Sequence, residues 1–160
     1  MFFDLIEWRW TYEPVDVDGY IPDFLIHGPN AFYVEVGPVL TLAEFQAKAE
    51  KADRASTELG RDVLVVGISP IADLRLDSGH IAAGLLGEYG TYEGETTLDW
   101  AAAPWAWCRT CQRFAIYHGY QSYDHRPCGE AGHDRENPFA GAVQLEDLWA
   151  EAGNTVQWRP

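Results

Sequence analysis

Tyr20-Ile21-Pro22-Asp23-Phe24-Leu25-Ile26-His27-Gly28-Pro29-Asn30-Ala31-Phe32-Tyr33-Val34-Glu35-Val36-Gly37 holds two apolar runs separated by turn chemistry. Tyr20 to Ile26 and Phe32 to Val36 read as strands, and His27-Gly28-Pro29-Asn30 supplies the turn, so an antiparallel hairpin is expected. A five-residue loop from His27 to Ala31 pairs Ile26 with Phe32 and, counting back, sets Asp23 opposite Glu35. Like charges directly opposed across a sheet destabilise it. A divalent cation between them, held by hard oxygen ligands, would remove that conflict. A one-residue slip would instead separate the two and leave ordinary solvated carboxylates. Pro22 has no N–H for a ladder and so suggests an edge strand or a bulge.

Downstream, Thr41 followed three residues later by Glu44 forms a capping box. Leu42, Phe45, Ala49, Ala52 and Leu59 then share one helical face, and Gly60 stands where a left-handed C-terminal residue belongs. Val63-Leu64-Val65-Val66-Gly67-Ile68 is a short unbroken apolar run, as in a strand buried on both faces. Strand, helix and buried strand predict a right-handed crossover between parallel strands. Upstream, Trp8, Trp10 and Tyr12 alternate with polar residues as a half-buried strand does. The fold class is therefore α/β, a mixed sheet with a crossover helix. Residues 70–100 read as loops with one or two short elements, and Val143 to Ala152 as a short C-terminal helix.

The chain has 160 residues and 18.0 kDa, with 47% hydrophobic and 14% aromatic residues, enough for a folded core. Its net charge is −14. Residues 1–100 hold six basic and eighteen acidic residues, net −12, against net −2 for residues 101–160. The change falls near Ala101-Ala102-Ala103-Pro104, read as a join between a main fold (1–100) and an appended module (101–160). Such acidity disfavours unaided nucleic-acid binding, which draws most of its affinity from Lys and Arg on phosphates. It disfavours an anionic membrane and suits a basic protein partner. No apolar run approaches the roughly 20 residues of a membrane span, and Asp4 and Glu7 break any signal-like start. A cytoplasmic location is expected.

Trp107-Cys108-Arg109-Thr110-Cys111 is a C-x2-C knuckle, with Cys128 sixteen residues on and His133 four residues beyond that. Cys108, Cys111, Cys128 and His133 supply three thiolates and an imidazole, the closed tetrahedral set that Zn²⁺ prefers. His118 and His125 are alternative fourth ligands. Phe114 to Tyr120 can form a strand, as in a zinc ribbon. A four-ligand zinc has no open position, so its expected role is structural. Arg109, Arg113 and Arg126 make this module the least acidic surface. Trp100, Trp105, Trp107, Trp149 and Trp158 are read as packing it onto the main fold, with a partner-binding anchor as the alternative.

The Tyr20-Ile21-Pro22-Asp23-Phe24 and Tyr33-Val34-Glu35-Val36-Gly37-Pro38 strings resemble the core motif of the PD-(D/E)XK, restriction-endonuclease-like nucleases. Phe2-Phe3-Asp4 and Trp10-Thr11-Tyr12-Glu13-Pro14 are similar to small phage and actinobacterial members, in which a cysteine ribbon follows the core. The resemblance implies that Asp23 and Glu35 hold Mg²⁺, and that a lysine two residues after the glutamate activates water. Gly37 stands at that lysine position. Those relatives also carry a glutamate in a helix before Phe-Phe-Asp, which is expected to be missing from a sequence opening at Met1-Phe2-Phe3.

Lys48 lies about 70° from the centre of the helix's apolar stripe, at 100° per residue, and can reach over the sheet, with a solvated flank residue as the alternative, whereas Lys51 points away. Three functions follow as expectations, the last in order a purely structural or interaction protein in which zinc holds a recognition surface. The first is a degenerate nuclease-fold zinc protein of phage or mobile-element origin that acts by binding a basic host protein or its DNA-binding surface, mimicking DNA. The alternative is an active Mg²⁺-dependent DNA endonuclease in which Lys48 replaces the motif lysine.

Overall fold

Alternation along β3 (Phe32–Val36) sends Phe32 and Val34 to one face of the sheet and Tyr33 to the other, and both faces are covered. The computed structural model describes residues 2–28, 30–39, 41–67, 82–92, 95–108, 113–117, 124–125 and 147–152. Around β3 stand α1 (Phe2–Leu5), β1 (Trp10–Tyr12), β2 (Phe24–Ile26), α2 (Leu42–Leu59), β4 (Val63–Val66), β5 (Ala82–Tyr92), β6 (Glu95–Cys108), β7 (Arg113–Tyr117) and β8 (Asp124–His125). A short helix, α3, covers 147–152. Strand order follows chain order from β1 to β8. β3 and β4 run parallel, and the other neighbouring pairs are antiparallel. The architecture is mixed α/β, with α2 as the crossover between the two parallel strands.

On one face Phe3, Ile6, Trp8, Phe24, Ile26, Phe32, Val34, Leu64, Val66, Leu86, Phe114 and Ile116 form a buried cluster. Much of the aromatic surplus is used here. Phe3 stacks on Trp8 (5.9 Å, 7°) and meets Phe24 edge-on, and Trp8 meets Phe32 edge-on. Trp8 also donates its indole N–H to the Phe114 carbonyl at 2.9 Å, satisfying a polar group in a dry site. Trp149 of α3 packs on Phe2. On the other face Phe45, Ala49 and Ala52 of α2 pack against Tyr33, Val63, Val65, Ala82 and Leu85.

The capping box is present as read: Glu44 N–H donates to Thr41 Oγ1 (3.3 Å) and Thr41 N–H to Glu44 Oε2 (3.0 Å). Gly60 ends α2 at φ 61°, ψ 41°, its N–H bonded to the Ser56 carbonyl. Phe45 and Ala52 are fully buried and Ala49 nearly so, and Lys51 is exposed.

Three readings are corrected. The stretch 70–100, read as loops with one or two short elements, instead holds β5 and the first part of β6, the two longest strands among the described residues, paired from Ala82↔Pro104 to Tyr92↔Glu95. The Ala101 to Pro104 stretch read as a join lies inside β6. Pro22 marks neither an edge nor a bulge, because β2 begins after it and lies between β1 and β3, where Pro22 withholds no ladder hydrogen bond. Residues 70–81 lie outside the described residues, and α3 supplies 147–152 of the expected C-terminal helix.

Candidate active site

The β2–β3 register pairs Ile26 with Phe32, Leu25 with Tyr33 and Phe24 with Val34. The next opposed positions are Asp23 and Glu35, as the five-residue loop required. The ladder stops at Phe24, and Asp23 closes it differently: its Oδ2 accepts the Val36 N–H at 2.7 Å. The Asp23 carbonyl accepts the Glu13 N–H at 2.9 Å, which fixes its backbone from the other side. Asp23 is thus held by main-chain donors from both neighbouring segments.

Glu35 sits in the β3 strand and is 12% exposed. Its Oε1 lies 2.7 Å from Lys48 Nζ. Its Oε2 accepts the Tyr20 hydroxyl at 2.9 Å. Lys48 lies three residues after the buried Phe45 and four before the buried Ala52, so it flanks the packed stripe of α2 and its chain runs along the sheet. Gly37 explains why there is room. A Cβ at Gly37 would come within 2.7 Å of Lys48 Cδ and Cε and 3.0 Å of Nζ. Gly37 itself continues the sheet, donating its N–H to the Val66 carbonyl at 3.0 Å.

Tyr20 was not singled out from the sequence as a site residue. It is presented by a tight turn in which Val17 and Tyr20 exchange both backbone hydrogen bonds, at 2.8 and 2.9 Å. Asp18 (φ 49°) and Gly19 (φ 83°) form its two-residue loop. Asp-Gly is the signal for such a left-handed two-residue loop, and it was available in the sequence. Burial first, then the Glu35 charge and hydrogen bond and the Asp23 charge, push the Tyr20 hydroxyl well above the usual phenol range. Both carboxylates therefore act on one phenol.

The donor set suits Mg²⁺ in kind. Mg²⁺ takes oxygen ligands and is commonly bound through one or two carboxylates, with waters and substrate phosphates completing its shell. Each Glu35 oxygen has a protein donor on it, and a carboxylate offers about four lone-pair positions, so the pair retains capacity for a cation. Among the described residues no group of three or more His, Cys, Asp or Glu side chains gathers at one place. Asp23 and Glu35 stand as a pair.

Cys108 ends β6, its backbone paired with Arg113 of β7, while Cys111, Cys128 and His133 lie outside the described residues, as does His118. Among the described residues no helix is long and apolar enough to cross a membrane. No protein-family model, curated protein or solved structure matches the chain.

Proposed function

We propose that this chain is a metal-dependent phosphodiesterase of the PD-(D/E)XK nuclease type, with its active lysine supplied by α2. The observation that carries this reading is the Lys48 ammonium lying on Glu35 and over Gly37. That is where a charge absent from position 37 would otherwise be needed, and it shifts the balance from the binding-only expectation to the enzyme alternative. Bound Mg²⁺ would polarise the phosphate and neutralise its developing charge. Asp23 and Glu35 would hold that cation. Lys48, with three N–H donors and no acceptor, would hydrogen-bond the attacking water and a phosphate oxygen. Hydrolysis then forms one P–O bond from water and breaks one to the leaving oxygen.

The mixed sheet with a crossover helix between its two parallel strands supports the restriction-endonuclease-like assignment. The zinc ribbon belongs to the same proposal. β6 and β7 pair with Cys108 at the end of β6, its backbone opposite Arg113, and the C-x2-C spacing of the sequence suits a knuckle gripping one Zn²⁺.

The test is cleavage of linear DNA with Mg²⁺ or Mn²⁺ by the full chain and by Asp23→Ala, Glu35→Ala and Lys48→Ala. Metal-dependent cutting that falls about 100-fold or more in each variant supports the reading, since one positioned charge is worth on the order of 10²–10³ in rate. Lys48→Ala should keep its cation affinity while losing cleavage, which separates the lysine's role from that of the carboxylates. No cutting by the full chain overturns it. A second reading then stands on the net charge of −14: a protein that acts by binding a basic partner.

A further inference from the structure

Glu35 is gripped at both oxygens by donors from different parts of the chain, Lys48 from α2 and Tyr20 from the 17–20 turn. Lys48 can leave, because it is a flexible side chain 23% exposed at the rim of the site. Tyr20 is held at several points. Its backbone is closed onto Val17 by two hydrogen bonds. The turn is pinned again by Asp16 Oδ1, which accepts the Gly19 N–H at 2.8 Å. Its side chain is partly buried and packs against the α2-side core. A hydrogen bond to an ionised carboxylate is roughly twice as strong as one between neutral groups.

We propose that Tyr20 is the positioning residue of this site: its hydroxyl holds Glu35 Oε2 and thereby fixes the direction of Oε1, the oxygen on the Lys48 side. This rests on the reading of Asp23 and Glu35 as a cation site. Without the phenol, nothing among the described contacts restrains rotation of the Glu35 carboxylate except Lys48. A cation would then have to order that carboxylate as it binds. Groups that orient metal ligands typically cost about 10–100-fold in metal affinity or activity when removed.

The experiment is Mn²⁺ titration of the full chain, with thermal melting in parallel, for wild type, Tyr20→Phe and Glu35→Gln. Tyr20→Phe keeps the ring and its packing and removes only the hydroxyl. The expected result is a saturable Mn²⁺ site in wild type, lost or greatly weakened in Glu35→Gln. Tyr20→Phe should weaken it about tenfold with an unchanged melting midpoint. If Glu35→Gln weakens binding and Tyr20→Phe does not, the Tyr20 proposal fails while the site reading survives. If Tyr20→Phe lowers affinity only together with the midpoint, the residue is structural and the proposal fails. If wild type shows no saturable site, or one indifferent to Glu35→Gln, the site reading fails and the Tyr20 proposal with it.

Discussion

The Lys48 side chain occupies the space that a side chain at Gly37 would need. Its Cδ and Cε lie 2.7 Å from the position of a Cβ on Gly37, while its Nζ reaches Glu35 Oε1 at 2.7 Å. One residue's missing Cβ and the other's reach are therefore the same structural fact. A side chain at position 37 and Lys48 in its present course compete for the same space.

Gly37→Ala tests this coupling. The backbone of Gly37 is not in the left-handed region, so alanine brings no backbone strain, and the atoms it meets are the far end of a flexible side chain. The melting midpoint should hardly move. Lys48 should be pushed off Glu35, so any cleavage should fall about as far as it does in Lys48→Ala. Full activity in Gly37→Ala would show that Lys48 does not work from this position.

The ends of α2 determine whether Lys48 is presented at all. Thr41→Ala removes the reciprocal cap and should cost about 1 kcal/mol. Gly60→Ala places a Cβ at φ 61° and should also cost about 1 kcal/mol. The sites are distant, so the double variant should add to about 2 kcal/mol, a fall of roughly 4–8 °C for a chain of this size. Thermal melts of the three variants measure it, and Mn²⁺ binding should be retained at 25 °C in each.

The cysteine set predicts about one equivalent of zinc in freshly purified, reduced protein. Cys108→Ser should remove it and expose the β6–β7 hairpin to proteolysis, because a module this small depends on its metal for folding. Metal analysis by mass spectrometry is the check. Zinc retained at full occupancy in His133→Ala would transfer the fourth position to His118 or His125.

What was legible in the sequence was what is encoded locally. Thr41, Glu44 and Gly60 announce both ends of α2 within a few residues, and the loop length between Ile26 and Phe32 fixes the register that brings Asp23 opposite Glu35. The helical angle of Lys48 allowed a reach over the sheet but fitted a solvated flank equally well, and its contact with Glu35 is visible only in the folded chain. The β5–β6 pair was missed because its residues look like linker. Gly84, Gly87 and Gly90 interrupt the apolar pattern, and Ala101-Ala102-Ala103-Pro104 has no bulk of its own. These residues become strand by facing one another: Gly84 opposes Ala103, Leu85 opposes Ala102 and Leu86 opposes Ala101. Such pairing depends on partners distant in sequence, which no short window reports. Tyr20 was missed for a different reason. Its aromatic ring reads as the start of the following strand, although Asp18-Gly19 before it signals a separate turn.

Gly84 lies where the β4 backbone comes close to the β5 backbone, and Gly84→Ala probes that approach. Gly84 pairs with Val66 across β4–β5, beside a register shift between Ala82 and Gly84. An added Cβ there would fall on the Val65 carbonyl oxygen, 2.9 Å from its carbonyl carbon and 3.2 Å from Val66 Cα. All three are backbone atoms, so no rotamer change relieves the overlap and the strands must part. The expected cost is about 3 kcal/mol, seen as a fall of roughly 6–12 °C in the melting midpoint. The same displacement should reach the site, because Val66 accepts the Gly37 N–H and Gly37 lies under Lys48. Mn²⁺ affinity should therefore drop in Gly84→Ala even at temperatures where the protein stays folded. A variant that melts with wild type would mean that β4 and β5 do not meet in this register, and the path from Gly84 to Lys48 would go with it.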